Sequence, residues 1–332
     1  MIKQIPIEVG AKYELPLVSV LLVTYNQEPY IRRAIEGVLT QVTAFPVELV
    51  IGEDASIDNT RQICEEYAAE FPEKIRLLPK RDNLGLNKNF LQTFAACKGK
   101  YIAYLEGDDW WIANDKLQKQ VDVLEGAEDV VLVHTNFKLF DLESKKYQDR
   151  LIRFEGQCIR ELQAGLSGVL AEFRGTFRPM KTSTVCYRRD VMQTILDEDP
   201  FLFSNPGFPT QDFQLFQEMS LRGRFAFIDE DTTVILLHDS ISAARDVKKR
   251  AEFRLGFFKI GIYLVDKYRL GAEDTKDWFR RQLYFFFQDA FSRRDRRLLG
   301  FVVDEAIKRS YRLPLTQKVK WLIAQVVLRS GE

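Results

Sequence analysis

Residues 18–24 read VSVLLVT, an apolar and β-branched run that predicts a buried strand, and the segments around it decide the fold. Three more short runs of this kind follow, separated by segments in which apolar residues recur at helical spacing. The predicted strands are Val18–Thr24, Val47–Ile51, Ile75–Leu78 and Tyr101–Leu105, and the predicted helices are Pro29–Gln41, 58–71 and Asn87–Cys97. This alternation is typical of a mainly parallel sheet sandwiched by helices.

The rest of the chain continues as mixed α/β and then becomes helical. The predicted strands there are Val130–Phe140, Lys181–Arg188, Phe225–Ile228 and Thr232–Leu237, with a helix at Gln211–Leu221. Four amphipathic helices are predicted in the C-terminal region, at Arg250–Tyr268, Thr275–Phe291, Arg293–Tyr311 and Leu315–Leu328.

The composition describes a globular protein. Of 332 residues, 46% are hydrophobic, which is enough for a packed core and excludes a disordered or collagen-like chain. The four cysteines stand far apart with no CxxC pair, so neither a disulfide framework nor a zinc site is expected. The first residues do not resemble a basic segment that leads into an apolar run, and no uninterrupted apolar run of ~18 residues occurs, so neither secretion nor membrane spanning is expected. We therefore expect a cytoplasmic protein.

The net charge of zero conceals an asymmetry along the chain. Residues 245–332 contain 21 Lys and Arg against 11 Asp and Glu, whereas residues 1–244 contain 27 against 37. An excess of ten negative charges is thus followed by an excess of ten positive charges. This separation predicts two surfaces that meet different partners.

Acidic residues follow two of the predicted strands. In parallel α/β sheets, ligands bind beyond the carboxyl ends of the strands, so these positions are the ones to inspect. No GxGxxG follows the first strand, which argues against a dinucleotide site. Glu53 and Asp54 end the second strand, where a carboxylate can accept the imide N–H of uracil or thymine. Asp58 is expected to cap the next helix.

The fourth strand runs into Glu106, Gly107, Asp108 and Asp109. Three carboxylates in four residues repel one another, and a divalent ion would relieve that repulsion. Oxygen ligands in a partial shell suit Mg²⁺ or Mn²⁺, with phosphate oxygens and water filling the remaining positions. An acidic exposed loop is the alternative interpretation of this motif alone.

Together these motifs resemble those of the family 2 glycosyltransferases, which have the GT-A fold. The resemblance rests on residues 18–26, Glu53–Thr60, Asn83 with Gly85, and Tyr101–Trp111, in the family's order and spacing. It is specific over about residues 16–125, extends to about 242, and does not include the C-terminal helices. It implies an inverting, metal-dependent transfer of a sugar from a nucleotide-sugar donor, with a UDP-sugar favoured.

The resemblance also implies roles for individual residues. Thr24, Tyr25, Glu28, Glu53 and Asp54 would border the nucleotide, with Asp54 on the base. Lys88, together with Asn83 and Asn89, would lie near the nucleotide. Asp108 would bind the metal, Glu106 would contact the ribose or the ion indirectly, and Asp109 would reach the metal or the donor sugar.

Two candidates come from the second half of the chain. An inverting displacement needs a base for the acceptor hydroxyl, and Asp212, in a segment that resembles the family's acidic-aromatic motif, is our choice. His238 follows a predicted strand and is the second metal-ligand candidate. The alternatives are a carboxylate favoured by the helix dipole for Asp212 and a structural histidine for His238. Thr182, Ser183 and Thr184 are candidates for the acceptor pocket, and His134 is expected in the core.

We divide the chain into a catalytic domain, residues 1–242, and a helical C-terminal region, residues 243–332. The donor half of the domain covers about residues 16–125 and the acceptor half about 126–242. The C-terminal helices join apolar faces to Lys and Arg, which suits peripheral contact with an anionic membrane carrying a glycan or lipid-linked acceptor. Packing on the sheet or a homodimer contact is the alternative for these helices.

Two other functions compete with glycosyl transfer. A non-catalytic nucleotide-sugar-binding or membrane scaffold protein would not need Asp212. A sugar-phosphate nucleotidyltransferase should carry a glycine-rich, basic loop after the first strand, and residues 24–29 have neither feature. No nucleic-acid-binding motif accompanies the basic C-terminal region, so no nucleic-acid partner is expected.

Overall fold

The computed structural model describes residues 15–148, 165, 180–237, 247–293 and 297–327. Its first part is a regular alternation of strands and helices. These elements are β1 (Val18–Thr24), α1 (Ile31–Leu39), β2 (Val47–Glu53), α2 (Thr60–Glu70), β3 (Ile75–Leu77), α3 (Leu86–Ala96) and β4 (Tyr101–Glu106). β1 pairs in parallel with both β2 and β4, and β2 pairs in parallel with β3. The α/β fold expected from the sequence is confirmed.

The second part adds antiparallel strands to the same sheet. Its elements are β5 (Trp110–Trp111), α4 (Lys116–Gly126), β6 (Val130–Asp141), β7 (Lys146–Gln148), a 3₁₀ turn (Thr182–Thr184), β8 (Cys186–Arg188), α5 (Arg189–Glu198), α6 (Phe201–Ser204), α7 (Asp212–Arg222) and β9 (Arg224–Leu237). Within the described ranges the sheet order is β3-β2-β1-β4-β8-β6-β9-β5, with β7 paired to β6. β8 is antiparallel to both of its neighbours, whereas β6 and β9 are parallel.

Two strand predictions in this part were wrong in detail. The expected strand Lys181–Arg188 begins as a 3₁₀ turn, and only Cys186–Arg188 pairs with the sheet. The strands expected at Phe225–Ile228 and Thr232–Leu237 are one strand, β9, whose pairing with β6 shifts register around Asn136. Polar residues interrupt the apolar pattern at that irregularity, which explains why the sequence predicts a break.

Four helices form the C-terminal region: α8 (Val247–Lys267), α9 (Ala272–Arg293), α10 (Arg297–Lys308) and α11 (Leu315–Val327). They share one hydrophobic cluster with residues of the sheet and of α3. Within it, the rings of Phe258 and Trp278 stack at a centroid distance of 5.2 Å. Lys267 on α8 pairs with Asp199 at 2.7 Å and with the buried Glu218 on α7 at 2.6 Å. These contacts fix the helices to the α/β part. Among the described residues, no helix has the length and apolar character needed to span a bilayer.

Candidate active site

The parallel pairing brings three strand ends to one edge of the sheet. Thr24 lies opposite Glu53, and Val23 lies opposite Glu106. The loops leave the sheet side by side, because the amide of Asp54 donates to the Thr24 carbonyl and that of Gly107 to the Val23 carbonyl, both at 3.0 Å. The acidic residues that are distant in sequence therefore occupy neighbouring loops.

Gly107 allows the β4 loop to approach the β1 loop closely. A Cβ atom at this position would lie 2.5 Å from Gln27 Oε1 and 2.6 Å from Thr24 Oγ1. The Thr24 hydroxyl itself donates to Gln27 Oε1 at 2.7 Å. A larger residue at position 107 would thus separate the acidic loop from the end of β1.

Two predicted nucleotide contacts lie in the β1 loop. The Tyr25 side chain is exposed, and the following residue, Asn26, adopts a positive φ of 53°. The Glu28 carboxylate accepts hydrogen bonds from the backbone and side-chain amides of Asn59 at the start of α2. Asp58 was expected to cap that helix, but Asn59 occupies the cap position. The Asp58 carboxylate accepts a hydrogen bond from the backbone amide of Thr60, the first residue of α2.

The acidic side chains at the β2 end have hydrogen-bonding or charged partners within the protein. Glu53 Oε1 accepts from the Ser56 amide at 2.6 Å, and Glu53 Oε2 lies 3.8 Å from Arg61 Nη1. The two Asp54 oxygens accept from the amides of Leu84 and Gly85 at 2.7 and 2.9 Å. Both carboxylates are buried and their positions are fixed, and Asp54 retains unused lone pairs.

The loop before α3 carries the remaining predicted nucleotide contacts. Asn83 donates to the Asp54 carbonyl, and the buried Asn89 side chain donates to the Gly52 carbonyl. Lys88 is exposed in the first turn of α3. Asn83 and Asn89 thus hold the β2 end in place, whereas the Lys88 ammonium faces solvent.

The β4 end holds three carboxylates close together. One oxygen from each of Glu106, Asp108 and Asp109 lies within 4.8 Å of the others. Burial and the Asp108 charge raise the pKa of Glu106 to about 7. Burial and the charges of Asp108 and Glu106 raise the pKa of Asp109 well above its usual value. The residues present fit a divalent cation, because such an ion offsets both the desolvation and the mutual repulsion.

A turn of three hydroxyl residues supports this acidic cluster. Thr182 Oγ1 donates to Glu106 Oε1 at 2.6 Å, and Ser183 Oγ donates to Asp109 Oδ2 at 2.5 Å. The other Asp109 oxygen accepts from the Leu236 amide of β9 at 3.1 Å. All three hydroxyl residues are buried. Two of these acceptor-pocket candidates thus orient carboxylates more than 70 residues away, and no local sequence pattern indicates that contact.

A buried lysine lies behind the turn. Lys116 Nζ donates to Gln120 Oε1 at 2.6 Å, and Gln120 Nε2 donates to the carbonyls of Val133 and Thr184. Burial lowers the pKa of Lys116 to about 7. The Trp111 ring, 4.4 Å from Nζ, stabilises the ammonium form and opposes that shift. Sequence reasoning did not find this residue, and the Lys116–Gln120 spacing of one helical turn was the only local signal.

Asp212, the candidate base, is the first residue of α7 and is partly buried. Its neighbour Gln211 donates to the Tyr104 hydroxyl at 2.5 Å, which attaches the start of α7 to β4. The charge of Asp212 contributes to the raised pKa of Glu106, so the two carboxylates interact across the site. Glu218 is buried and paired with Arg222 and Lys267, which makes it part of the protein interior.

The structure tests the prediction for one of the two histidines. His134 is buried on β6 with its ring 4.9 Å from that of Phe227, as expected for a core residue. His238, the second metal-ligand candidate, lies outside the described residues, since β9 ends at Leu237.

The parallel strands and the acidic edge lie in a part of the chain that matches a known family. Residues 19–183 match the family model described as Glycosyl transferase family 2. Residues 19–183 therefore form a glycosyltransferase family 2 domain.

Individual proteins are similar to parts of this chain. An uncharacterized protein of Mycobacterium bovis is 45% identical over 107 residues, which cover 32% of this chain and 31% of that protein. TuaG of Bacillus subtilis, named as a candidate teichuronic acid biosynthesis glycosyltransferase, is 34% identical over 33% of this chain and 42% of its own length. The chain therefore spans about a third to two fifths of these relatives.

Solved structures support the fold over a wider range. The crystal structure of S. aureus TarS residues 1–349 in complex with UDP-GlcNAc has a TM-score of 0.53 and 16% identity. The match covers 93% of this chain and 91% of that one. The likeness therefore includes the C-terminal helices as well as the sheet.

Proposed function

We propose that this protein is a metal-dependent inverting glycosyltransferase that moves a sugar from a nucleoside-diphosphate sugar to an acceptor hydroxyl. The observation that carries the proposal is the cluster of the partly buried Glu106 and the buried Asp108 and Asp109, at the same sheet edge as Glu53 and Asp54. A nucleotide site and a cation site side by side are what a diphosphate donor requires.

Asp108 would hold Mn²⁺ or Mg²⁺, with Glu106 and Asp109 as supporting carboxylates and His238 as a further candidate ligand. The bound ion would neutralise the charge that develops on the leaving diphosphate. Ser183 and the Leu236 amide fix Asp109, so its orientation does not depend on the ligand. The cluster would thus be largely preorganised for the donor.

The nucleoside would lie along the β1 and β2 ends. Asp54 would accept the imide N–H of uracil, with Glu53 behind it and the exposed Tyr25 ring beside it. Thr24, Glu28 and Lys88 would border the ribose and phosphates. We favour a UDP-sugar because this chemistry suits uracil and because the TarS structure with a similar fold contains UDP-GlcNAc.

Asp212 would act as the general base. An inverting transfer is a single displacement, so a carboxylate on the face opposite the diphosphate must accept the proton of the attacking hydroxyl. Asp212 suits this role because it is partly exposed and belongs to α7 rather than to the loop that would bind the ion.

The acceptor would be a glycan or lipid-linked glycan of a surface polysaccharide. The support is the similarity to TuaG, whose name refers to teichuronic acid biosynthesis. We place the reaction in the cytoplasm, because Cys64, Cys97 and Cys186 are buried free thiols, as is usual in a reducing compartment.

The test combines donor binding and sugar transfer in two variants. Asp212→Asn should bind UDP with Mn²⁺ as the wild type does but transfer sugar at least ~100-fold more slowly, because only the proton acceptor is lost. Asp108→Asn should lose the Mn²⁺-supported part of UDP binding. Asp190→Asn is the matched control, since Asp190 also sits in the first turn of a helix and accepts from the next amide.

The same experiment separates the competing functions. An active Asp212→Asn would remove Asp212 as the base. A wild-type protein that binds UDP-sugars but transfers none to polysaccharide acceptors, with Asp212→Asn indistinguishable from it, would favour the non-catalytic scaffold.

A further inference from the structure

The last helix has two chemically distinct faces. Its inward face packs Gln317, Trp321 and Ala324 against the protein, at a spacing of three to four residues. Leu315, Val319, Leu322 and Ile323 lie on the outward face, and their exposed fractions are 76%, 47%, 64% and 45%. Positions 315, 319 and 322 repeat once per turn, so these side chains form a continuous apolar stripe about 10 Å long.

Basic side chains border this stripe. Lys318 and Lys320 fall on its opposite flanks at 100° per residue, and Arg312 precedes the helix. All three are exposed, and among the described residues no acidic side chain pairs with them. From Ala306 to Gly331 the sequence contains six Lys and Arg and no Asp or Glu. The stripe is therefore bordered by basic side chains, and its own segment of sequence contributes no acidic one.

An aromatic side chain of the neighbouring helix extends the surface. Tyr284 of α9 is 51% exposed, and Lys320 Nζ lies 6.0 Å from the centre of its ring. A tyrosine with an apolar ring and a polar hydroxyl suits the boundary between hydrocarbon and water.

We propose that the outward face of α11 docks this protein on an anionic lipid bilayer. The apolar stripe would enter the headgroup–acyl boundary while Lys318, Lys320 and Arg312 contact anionic headgroups. An apolar stripe with lysines on both flanks is the pattern of a helix lying in a membrane interface. The inference goes beyond the proposed function and does not depend on it.

Charge favours the bilayer over a second copy of the chain. In a two-fold symmetric dimer the same patch meets itself, so Lys318 and Lys320 would face like charges. Lysine is also depleted at protein–protein interfaces. A layer of anionic headgroups instead neutralises every basic side chain of the patch.

The test is co-sedimentation of the full chain with mixed phosphatidylcholine–phosphatidylglycerol vesicles and with vesicles of phosphatidylcholine alone. We expect binding to the mixed vesicles that weakens with added salt. Leu315→Ser with Leu322→Ser should abolish it, and Lys318→Glu with Lys320→Glu should weaken it more than roughly tenfold, since each lysine near an anionic surface contributes roughly fivefold.

Controls use the same substitutions elsewhere on the surface. Lys145→Glu with Lys146→Glu makes the same charge change on exposed residues next to the sheet, and Ile57→Ser removes an apolar side chain that is 90% exposed. Both should bind the mixed vesicles as the wild type does. All variants change exposed residues, and thermal unfolding verifies that they are folded.

Three outcomes would overturn the proposal: no binding to either vesicle, equal binding to both, or binding that survives the α11 substitutions. A concentration-dependent dimer in sedimentation velocity, lost in Leu315→Ser with Leu322→Ser while vesicle binding is absent, would assign the stripe to self-association. UDP binding in solution is measured without vesicles, so failure here leaves the proposed function intact.

Discussion

The β2 and β4 ends carry the same kind of residue at the same edge of the sheet, yet their surroundings differ. At the β2 end, Glu53 has a guanidinium nearby and Asp54 has two backbone amides. At the β4 end, Glu106 and Asp109 receive hydrogen bonds chiefly from hydroxyls, while three carboxylates repel one another.

This difference shows that an acidic strand end does not define a metal site by itself. Arg61 and the loop amides stabilise the charged carboxylates at the β2 end, which leaves that end suited to a neutral hydrogen-bonding group such as a base. The raised pKa values of Glu106 and Asp109 show that the β4 end resists ionisation without a cation. The two ends would therefore bind the two halves of one donor.

The largest expected effect is at Asp108. Asp108→Asn should weaken Mn²⁺ binding by more than the roughly 10–100-fold that follows loss of an outer-shell partner. The same change should raise the unfolding temperature of the metal-free protein, because it removes the charge that opposes ionisation of Glu106 and Asp109. Thermal unfolding with and without Mn²⁺ measures both effects, and exposed Asp122→Asn is the control. If the metal-free variant were less stable than the metal-free wild type, the claim that Asp108 destabilises the site by charge repulsion would be wrong.

The second effect concerns Lys116, which reaches the β4 end through Gln120 and the Thr184 carbonyl. Its pKa is about 7 in the folded protein against an ordinary 10.5, so the unfolded chain binds more protons between those values. The contribution of Lys116 to the free energy of unfolding should therefore increase as pH rises from 7 to 10.5. At about 1.4 kcal/mol per pKa unit, the increase could reach several kcal/mol.

Lys116→Met removes this dependence. Chemical denaturation at pH 6.5 and 9.5 should show the variant gaining stability relative to the wild type at the lower pH. Lys119→Met, at an exposed position on the same helix, should show no such relative gain. A constant difference between wild type and Lys116→Met at both pH values would mean that Lys116 remains charged in the folded protein.

The third prediction tests the β2 end. Glu53→Gln leaves Arg61, whose side chain is 15% exposed, without its buried carboxylate partner. We expect a loss of about 1–2 kcal/mol in the free energy of unfolding. Glu65→Gln removes the exposed partner of the same arginine and should cost at most about 0.5 kcal/mol. If Glu53→Gln instead increased the free energy of unfolding, the Glu53 carboxylate would be destabilising, and the β2 end would not differ from the β4 end in this respect.

The smallest effect is expected at the hydroxyl turn. Ser183→Ala removes the donor to Asp109 and should weaken Mn²⁺ binding by roughly tenfold, as for an outer-shell partner. Thr184→Val is the control, because its hydroxyl bonds to the Lys181 carbonyl and not to an acid. Calorimetric titration with Mn²⁺ measures the difference, and equal affinities in both variants would assign Ser183 to the fold alone.

The sequence predicted the sheet edge well because its signals are local. β1, β2 and β4 are short apolar runs, and their parallel pairing places Thr24, Glu53 and Glu106 together without further information. The C-terminal helices were also predicted, since apolar periodicity over long segments identifies helices reliably.

The support for the acidic cluster could not be predicted because it comes from distant segments. Ser183 and Asp109 are 74 residues apart. The sequence Thr182–Thr184 is typical of a strand with one exposed face, whereas in the structure these residues form a buried 3₁₀ turn. The burial of Lys116 could not be predicted either, because its neighbours in the sequence are ordinary helix-forming residues. Tertiary packing, not local pattern, determines both.

The most direct test of the central claim is calorimetric titration of UDP into the wild-type protein with and without Mn²⁺. The account predicts clear UDP binding with Mn²⁺ and binding at least ~100-fold weaker without it, as expected if an ion held by Asp108 joins the protein to the diphosphate. UDP binding of equal strength with and without Mn²⁺ would contradict a metal site at the end of β4.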